Sequence, residues 1–216
     1  MFRVVTVSRE YGSGGSEIAR RVADYLGWDL FDDDLMLRVA FRAEVDVSVV
    51  RRYDERVDSW WRRMNRAGLW SAAIASGITA ADALLFDADA MARITHELIQ
   101  EVACEGDCVI VGRGAQCVLR NFPHAFHVFI YGPDSERVAR IQQRAEEEGR
   151  DAAELIRTTD RARAAYHRRH FGCDWKDPDL YQTIMSSEFG IENAAGMIAN
   201  AVVDAELAAL ARLSGV

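Results

Sequence analysis

Lysine is almost missing from this chain. The sequence of 216 residues contains 26 lysines and arginines, and Lys176 is the single lysine among them. Any cluster that binds phosphate must therefore be built mostly from arginine. The planar guanidinium group suits this task, because it can donate to two phosphate oxygens at once.

Long apolar runs and paired cysteines are also lacking. No apolar stretch approaches ~18 residues, so we expect no membrane span, and strand-like residues begin where a secretory leader would stand. The four cysteines include no C-x-x-C pair, which favours buried thiols in a cytoplasmic protein over a zinc site or a disulfide framework. We therefore expect a cytoplasmic protein with no membrane partner.

The overall charge excludes one broad class of function. The formal net charge is −8 and the isoelectric point is about 5.2, which argues against general binding to nucleic acids or anionic membranes. The length is sufficient for one domain with a sizeable core, and 50% of the residues are hydrophobic. A locally basic cleft remains compatible with this balance.

The most informative segment lies near the start of the chain. Val4, Val5 and Val7 are β-branched, as in a buried parallel strand. A glycine-rich turn follows, and apolar residues then recur at helical spacing from Ser16 onward. The turn therefore lies at a helix N-terminus, where free N–H groups and the helix dipole attract anions. This layout predicts a phosphate-binding loop over Gly12–Ser16.

The loop departs from the usual pattern G-x-x-x-x-G-K-[ST]. Gly14 takes the last loop glycine and Ser16 takes the hydroxyl that holds Mg²⁺. Gly15 stands where the lysine should be, and Arg9 stands at the first glycine. We hypothesise that a nearby arginine, Arg9 or one from a lid, supplies the missing charge. The alternative is a glycine-rich turn that binds no ligand.

Strands and helices alternate along the rest of the chain. Strands are predicted at Val4–Val7, Trp28–Phe31, Cys108–Val111, Phe126–Tyr131 and Leu180–Met185, and helices at 16–26, 35–41, 46–64, 87–104, 115–119, 134–148, from 151 onward and 191–213. This order predicts an α/β fold with a parallel sheet. The phosphate loop, the acids that begin at Asp32 and the turn around Arg113 each follow a strand, so we expect them to converge at one edge.

Several other polar groups have ordinary explanations. Arg137, Arg140 and Arg144 are predicted to form a solvated helix face. His167 and His170 lie three residues apart on a predicted helix, and a wet helix end is favoured over a metal pair. Trp60, Trp61 and Trp70 suit either a core or the subunit interface of a homodimer.

At this point the chain resembles the cytidylate kinase-like family of P-loop kinases. The resemblance rests on ordered segments that cover both ends of the chain. They are the first strand and loop at Val4–Ser16, the acids Asp32, Asp33 and Asp34 followed by Arg38, the V-I-V-G-R-G run at 109–114 with N-F-P at 121–123, the F-I-Y run at 129–131 with S-E-R at 135–137, and the D-R-A-R run at 160–163. The family's fold is a three-layer P-loop kinase domain, here expected to span residues 1–216.

The resemblance also implies roles for individual residues. It implies an acceptor-binding helical insertion over about 36–105 and an arginine-rich lid over about 146–176. Arg38 and Arg113 would hold the acceptor, and Asp32 would line the metal or acceptor side. Arg161 and Arg163, with Arg157 as a further candidate, would close over the transferred phosphoryl group. The cofactors would be ATP and Mg²⁺, with Gly12, Ser13, Gly14, Gly15 and Ser16 around the phosphates.

The acceptor is less well defined. Val111 and Gly114 stand where cytidylate kinases carry acids beside the arginine, so a preference for cytosine is unsupported. The sequence thus indicates phosphoryl transfer from ATP to a nucleoside monophosphate or a similar small acceptor. The alternatives are a kinase for a non-nucleotide metabolite and a non-catalytic nucleotide-binding or regulatory protein.

Overall fold

The fold is a five-stranded sheet with helices on both sides. The computed structural model describes residues 1–32, 38, 42, 88–147, 149 and 151–213. The described strands are β1 (Val4–Arg9), β2 (Asp29–Phe31), β3 (Cys108–Val111), β4 (Ala125–Tyr131) and β5 (Thr183–Ser186). The described helices are α1 (Gly15–Leu26), α2 (Ala88–Glu105), α3 (Ala115–Val118), α4 (Asp134–Glu147), α5 (Ala152–Phe171) and α6 (Ile191–Leu213).

All strand pairs in the sheet are parallel, in the order β2-β3-β1-β4-β5. The central strand β1 aligns Val7 with Val111 of β3 and with Val128 of β4. All three of these valines are fully buried or nearly so, as expected for strands covered on both faces. The α/β fold class predicted from the sequence is therefore confirmed.

The main core lies between the sheet, α1 and α6. Ile18 and Val22 of α1 pack with Ile198 and Val202 of α6 and with the inner faces of β1, β3 and β4. These helix residues recur at spacings of four, which places them on one side of each helix. Because the core fixes α1 against β1, it also fixes the turn that joins them.

The start of α5 follows the sequence prediction, whereas the start of β5 does not. Asp151 accepts a hydrogen bond from the Glu154 backbone N–H at 2.7 Å, so it is the N-cap of α5. The strand predicted from Leu180 begins only at Thr183. Residues Pro178–Leu180 form a 3₁₀ turn instead, because Pro178 opens the turn and the Asp177 side chain caps it.

The chain divides into two compact units. One comprises Met1–Asp32 and Ile99–Val216, and the other comprises Asp33–Leu98. The helices predicted at 35–41 and 46–64 and the residues Trp60, Trp61 and Trp70 lie outside the described residues, apart from Arg38. Over the described part of the chain, no helix is both long enough and apolar enough to cross a membrane.

Candidate phosphate-binding site

The turn between β1 and α1 has the backbone of an anion-binding loop. Gly12 and Gly14 have φ angles of 79° and 80°, in the left-handed region that favours glycine. Gly14 is the N-cap of α1 and has no side chain to accept from the first turn of the helix. The Ser13 hydroxyl donates to the Glu10 carbonyl at 2.9 Å and closes the loop on itself. Gly14 thus gives the first amides of α1 no side-chain acceptor, and helix N-termini in general attract anions.

Arg9 fills the space in which the side chain of residue 15 would begin. A Cβ atom added to Gly15 would lie 2.5 Å from Arg9 Cβ and 2.9 Å from Arg9 Cγ. The Arg9 guanidinium extends to Gly112, where an added Cβ would collide with Nη1. An arginine stem thus passes over the position at which the motif has its lysine. Larger residues than glycine at positions 15 and 112 would both collide with Arg9.

The Arg9 guanidinium links the ends of three strands. Its Nη2 atom lies 3.6 Å from Asp32 Oδ1, just after β2, and its Nη1 atom lies beside Gly112, just after β3. The Arg9 and Asp32 side chains are 19% and 24% exposed, so the pair is neither fully solvated nor sealed from a ligand. The predicted convergence of these segments at one edge of the sheet is confirmed.

Arg113 is held in an unusual backbone conformation. Its φ angle is 57°, and it stands between Gly112 and Gly114, which have φ angles of 72° and 71°. Burial raises the pKa of Tyr166 to about 12, and the positive charge of Arg113 opposes that rise, so Arg113 lies near α5. A backbone strained in this way is often retained for a functional reason.

The turn after β3 leaves no room for an acid at residue 114. A Cβ atom on Gly114 would collide with the ring of Phe171, at the end of α5. The structure therefore gives a physical reason for the missing carboxylate beside Arg113. An aspartate at this position would need both a rearranged Phe171 and a left-handed backbone.

A buried carboxylate at the base of the loop was not identified from the sequence. Glu10 accepts from the Gly132 backbone N–H at 3.2 Å, and its Oε2 atom lies 3.4 Å from Arg137 Nη1. Its Oε1 atom is paired with the ammonium of Lys176. We call Glu10, Arg137 and Lys176 the Glu10 cluster. The Glu10 and Arg137 side chains are only 9% and 5% exposed.

The prediction that Arg137 lies on a solvated helix face is wrong. Besides Glu10, it pairs with Asp134 at 3.1 Å and with Asp160, and it donates to the Tyr11 carbonyl at 2.8 Å. Arg140 is exposed but donates to the Gly12 carbonyl at 2.7 Å. The side chain of Arg144 lies outside the described residues. The one member of the Glu10 cluster that stands out in the sequence is Lys176, because it is the single lysine of the chain.

Helix α5 contacts the loop through two polar side chains. Asp160 Oδ1 accepts from the Tyr11 backbone N–H at 2.9 Å. Arg163 Nη1 donates to the Arg9 carbonyl at 2.6 Å, and its guanidinium lies 5.7 Å from the centre of the Tyr11 ring. The structure thus brings Arg163 to the phosphate loop.

The other two α5 arginines expected in the lid, Arg157 and Arg161, face elsewhere. Arg157 and Arg161 line a cavity of about 330 Å³ between α4 and α5, together with Arg137 and Asp160. Both are exposed. Arg161 and Arg163 are two residues apart and therefore lie on different faces of the helix. Arg38 is helical and exposed, and belongs to the second unit.

The residues at the loop could hold Mg²⁺ only together with phosphate oxygens. Among the described residues, no group of three or more His, Cys, Asp or Glu side chains is arranged to hold a metal ion. Mg²⁺ in kinases usually takes one or two protein oxygens and completes its shell with phosphate oxygens and water. The half-buried Ser16, in the first turn of α1, and Asp32 provide such oxygens.

Comparison with known proteins agrees with this geometry. The family model described as "Cytidylate kinase-like family" matches residues 4–188. No curated protein was found to match the chain. The resemblance found in the sequence motifs is therefore confirmed over most of the chain.

Solved structures share the fold. An uncharacterized protein from Eubacterium ventriosum has a TM-score of 0.65 at 24% identity, with 94% of this chain and 99% of that chain covered. Shikimate kinase from Acinetobacter baumannii has a TM-score of 0.53 at 12% identity, with 96% of each chain covered. Shikimate kinase from Bacteroides thetaiotaomicron has a TM-score of 0.54 at 15% identity, with 92% of this chain and 97% of that chain covered. Family and fold together indicate a P-loop kinase.

Proposed function

Because the chain belongs to the cytidylate kinase-like family, we propose that it transfers the γ-phosphoryl group of ATP to a nucleoside monophosphate or a similar small acceptor. The observation that carries the proposal is Arg9. Its stem replaces the stem of the absent lysine, and its guanidinium lies where three strand ends meet. The loop therefore has a cation within reach of bound phosphates, although residue 15 has no side chain.

Phosphoryl transfer requires positioning and charge neutralisation more than a nucleophilic side chain. The loop Gly12–Ser16 would bind the ATP phosphates through backbone amides. Mg²⁺, held by Ser16 and the phosphates, would neutralise negative charge when bound. The other roles we propose are acceptor binding by Asp32, Arg38 and Arg113, and neutralisation of the transferred group by Arg9, Arg161 and Arg163.

Of the two α5 arginines proposed to neutralise the transferred group, Arg163 is the better supported. It already contacts the Arg9 carbonyl and stacks near Tyr11. Arg161 lines the cavity between α4 and α5, so it would need a movement of α5 or a ligand that extends into that cavity. A kinetic comparison of Arg161→Ala with Arg163→Ala would rank the two roles.

A kinase for a non-nucleotide metabolite is the second candidate. The observation that favours it is Phe171, which occupies the space of a cytosine-reading acid at residue 114. The likeness to shikimate kinases supports the fold and does not select an acceptor.

The decisive experiment incubates purified protein with ATP, Mg²⁺ and a panel of acceptors, and detects products by mass spectrometry. The panel contains the common nucleoside monophosphates and small hydroxy acids. We expect one acceptor to gain 80 Da, the mass that one phosphoryl group adds, and Arg113→Ala to lower kcat/KM for it by about 100-fold. Absence of a phosphorylated product from every acceptor would contradict kinase activity.

The remaining alternative is a nucleotide-binding protein without turnover. Calorimetry with a non-hydrolysable ATP analogue, combined with the product assay, distinguishes such a protein from a kinase. A non-catalytic protein would bind the analogue but form no product. Arg9→Met is the informative variant here. We expect it to weaken analogue binding, since it removes the guanidinium but keeps most of the stem that packs on Gly15.

A further inference from the structure

The chain places its single lysine beside the loop that lacks one. Lys176 lies 166 residues from Glu10 in sequence, yet its ammonium pairs with the Glu10 carboxylate at the base of the loop. Glu10 is also two residues from Gly12, the first left-handed glycine of the loop. Of the two basic groups paired with this carboxylate, the nearer one therefore comes from the segment between α5 and β5.

Several contacts hold the backbone that carries Lys176. Trp175 is 3% exposed, and its ring meets the Phe129 ring edge-on at 5.5 Å. The Tyr181 hydroxyl donates to the Trp175 carbonyl, and the Lys176 N–H donates to Asp174 Oδ1 at 3.0 Å. The ammonium itself lies 5.6 Å from the centre of the Trp175 ring. These contacts position the backbone of Lys176, and its ammonium lies at Glu10 although the side chain is 48% exposed.

The charges around Glu10 balance only when Lys176 is included. Arg137 is shared among Glu10, Asp134 and Asp160. Arg163 lies at the edge of this group, 4.0 Å from Asp160. Without Lys176, a carboxylate that is 9% exposed would share its remaining cation with two other acids. Uncompensated negative charge beside an anion-binding loop would repel the phosphates of a ligand.

We infer that Lys176 is a positioning residue of the phosphate site, which neutralises Glu10 so that the loop can accept a polyphosphate. This inference rests on the proposed function, because it assigns a partner residue to the same loop. It goes beyond that function because it identifies Lys176 as the cation that neutralises the Glu10 carboxylate. Lys176 acts through Glu10 and is not required to touch the ligand.

The test measures binding and not turnover. Calorimetry with a non-hydrolysable ATP analogue and with inorganic tripolyphosphate compares wild type with Lys176→Met, Lys176→Arg, Glu10→Gln and the double variant Glu10→Gln/Lys176→Met. We expect Lys176→Met to lower the affinity for both ligands about tenfold. The affinities of Lys176→Arg should remain within about threefold of those of wild type. The double variant should also return to within about threefold, because it contains no carboxylate to neutralise.

Arg120→Met is the matched control. Arg120 is exposed in the turn that follows α3, so the variant removes one positive charge without touching the Glu10 cluster. We expect its affinities to match those of wild type. A purely structural role for Lys176 would lower thermal stability without this pattern of loss and rescue.

Each outcome decides the inference. Wild-type protein that binds both ligands, with Lys176→Met binding equally well, would overturn it and leave the proposed function intact. Loss in Lys176→Met without recovery in the double variant would also overturn it. If Lys176→Met does not fold, Glu10→Gln and the double variant are compared instead, and more than about a threefold difference overturns the inference. Wild-type protein that binds neither ligand would overturn the proposed function and the inference together.

Discussion

At the scale of single residues, Arg9 occupies the space beside a loop position that has no side chain. The stem of Arg9 lies against the backbone of Gly15, and its guanidinium lies beside Gly112 and 3.6 Å from Asp32. Residues 9, 15 and 112 therefore form a matched set, in which one long side chain requires two glycines. A substitution at one of these three positions should therefore alter the packing at the other two.

Restoring the motif lysine alone should be harmful. Gly15→Lys would bring its Cβ to 2.5 Å from Arg9 Cβ, so we expect it to lower the free energy of unfolding by about 1–3 kcal/mol through overpacking. Nucleotide affinity should fall as well, because the loop backbone must shift. Urea unfolding and calorimetry measure the two effects.

Two further variants separate overpacking from a general intolerance of lysine. Arg9→Gly/Gly15→Lys removes both obstructing atoms, Cβ and Cγ of Arg9, and we expect it to recover part of the lost stability. Gly196→Lys adds the same side chain to α6, where an added Cβ meets nothing within 4 Å. Stability that is unchanged in Gly15→Lys would show that Arg9 does not fill the lysine position.

At the scale of secondary-structure elements, α5 acts as a support for the phosphate loop. Its Asp160 accepts from the Tyr11 N–H, and its Arg163 donates to the Arg9 carbonyl. Asp160 also pairs with Arg137 of α4. The loop is thus held between α1 in front and α4 and α5 at its side, so a substitution on α5 can alter ligand binding without contacting the ligand.

Removing the Asp160 carboxylate should therefore affect the loop more than removing another acid of the same helix. Asp160→Ala leaves the Tyr11 N–H without its partner and takes one counter-charge from the buried Arg137. We expect a loss of about 2–4 kcal/mol in unfolding free energy and weaker nucleotide binding. Urea unfolding and analogue calorimetry provide the readouts.

Asp151→Ala is the control on the same helix. It removes the N-cap hydrogen bond to Glu154, which should cost about 1 kcal/mol and leave nucleotide affinity nearly unchanged. If the two variants weakened nucleotide binding equally, α5 would not support the loop through Asp160.

The elements could be predicted from the sequence better than the contacts between them. The β-branched run at Cys108–Val111 and the apolar periodicity of Ile191–Leu213 specify a strand and a helix with little competition, and both bounds agree with the structure. The strand near Leu180 was placed too early, because Leu180 is buried in a capped 3₁₀ turn. Apolar character alone does not distinguish a strand from such a turn.

The site could be predicted only in part for a related physical reason. The local sequence pattern identifies the loop and Arg113, since each follows a strand and is flanked by glycine. Arg137 cannot be identified in this way, because its partner Glu10 lies elsewhere in the chain and the periodicity of a helix does not reveal that contact. The same holds for His167, which was expected at a wet helix end but is 6% exposed and bonded to Gln116 at 2.9 Å.

At the scale of the whole molecule, neutral buried histidines should set the acid limit of stability. Burial lowers the pKa of His127 from 6.5 to about 4, against a smaller opposing effect from a hydrogen bond with the Leu119 backbone. His127 lies on β4 and is 4% exposed, with Nδ1 2.8 Å from the Thr6 hydroxyl of β1. Burial lowers the pKa of His167 in the same direction.

Stability should therefore fall as the pH is lowered from about 6.5 to about 4. In that window the unfolded chain binds a proton at residue 127 that the folded chain excludes, so protonation favours unfolding. The contribution of His127 is fully present above pH 6.5, and its loss by pH 4 amounts to about 3 kcal/mol. His167 adds a loss of the same sign. Urea unfolding at closely spaced pH values between 7 and 4 measures the slope.

Two glutamine variants assign this slope to the buried ring. His127→Gln keeps a polar side chain but cannot titrate, so its unfolding free energy should change less between pH 6.5 and 4 than that of wild type. His124→Gln alters an exposed histidine just before β4 and should retain the wild-type slope. An equal fall in wild type and His127→Gln would show that protonation of His127 does not limit stability in acid, and would place the limit on other groups of the fold.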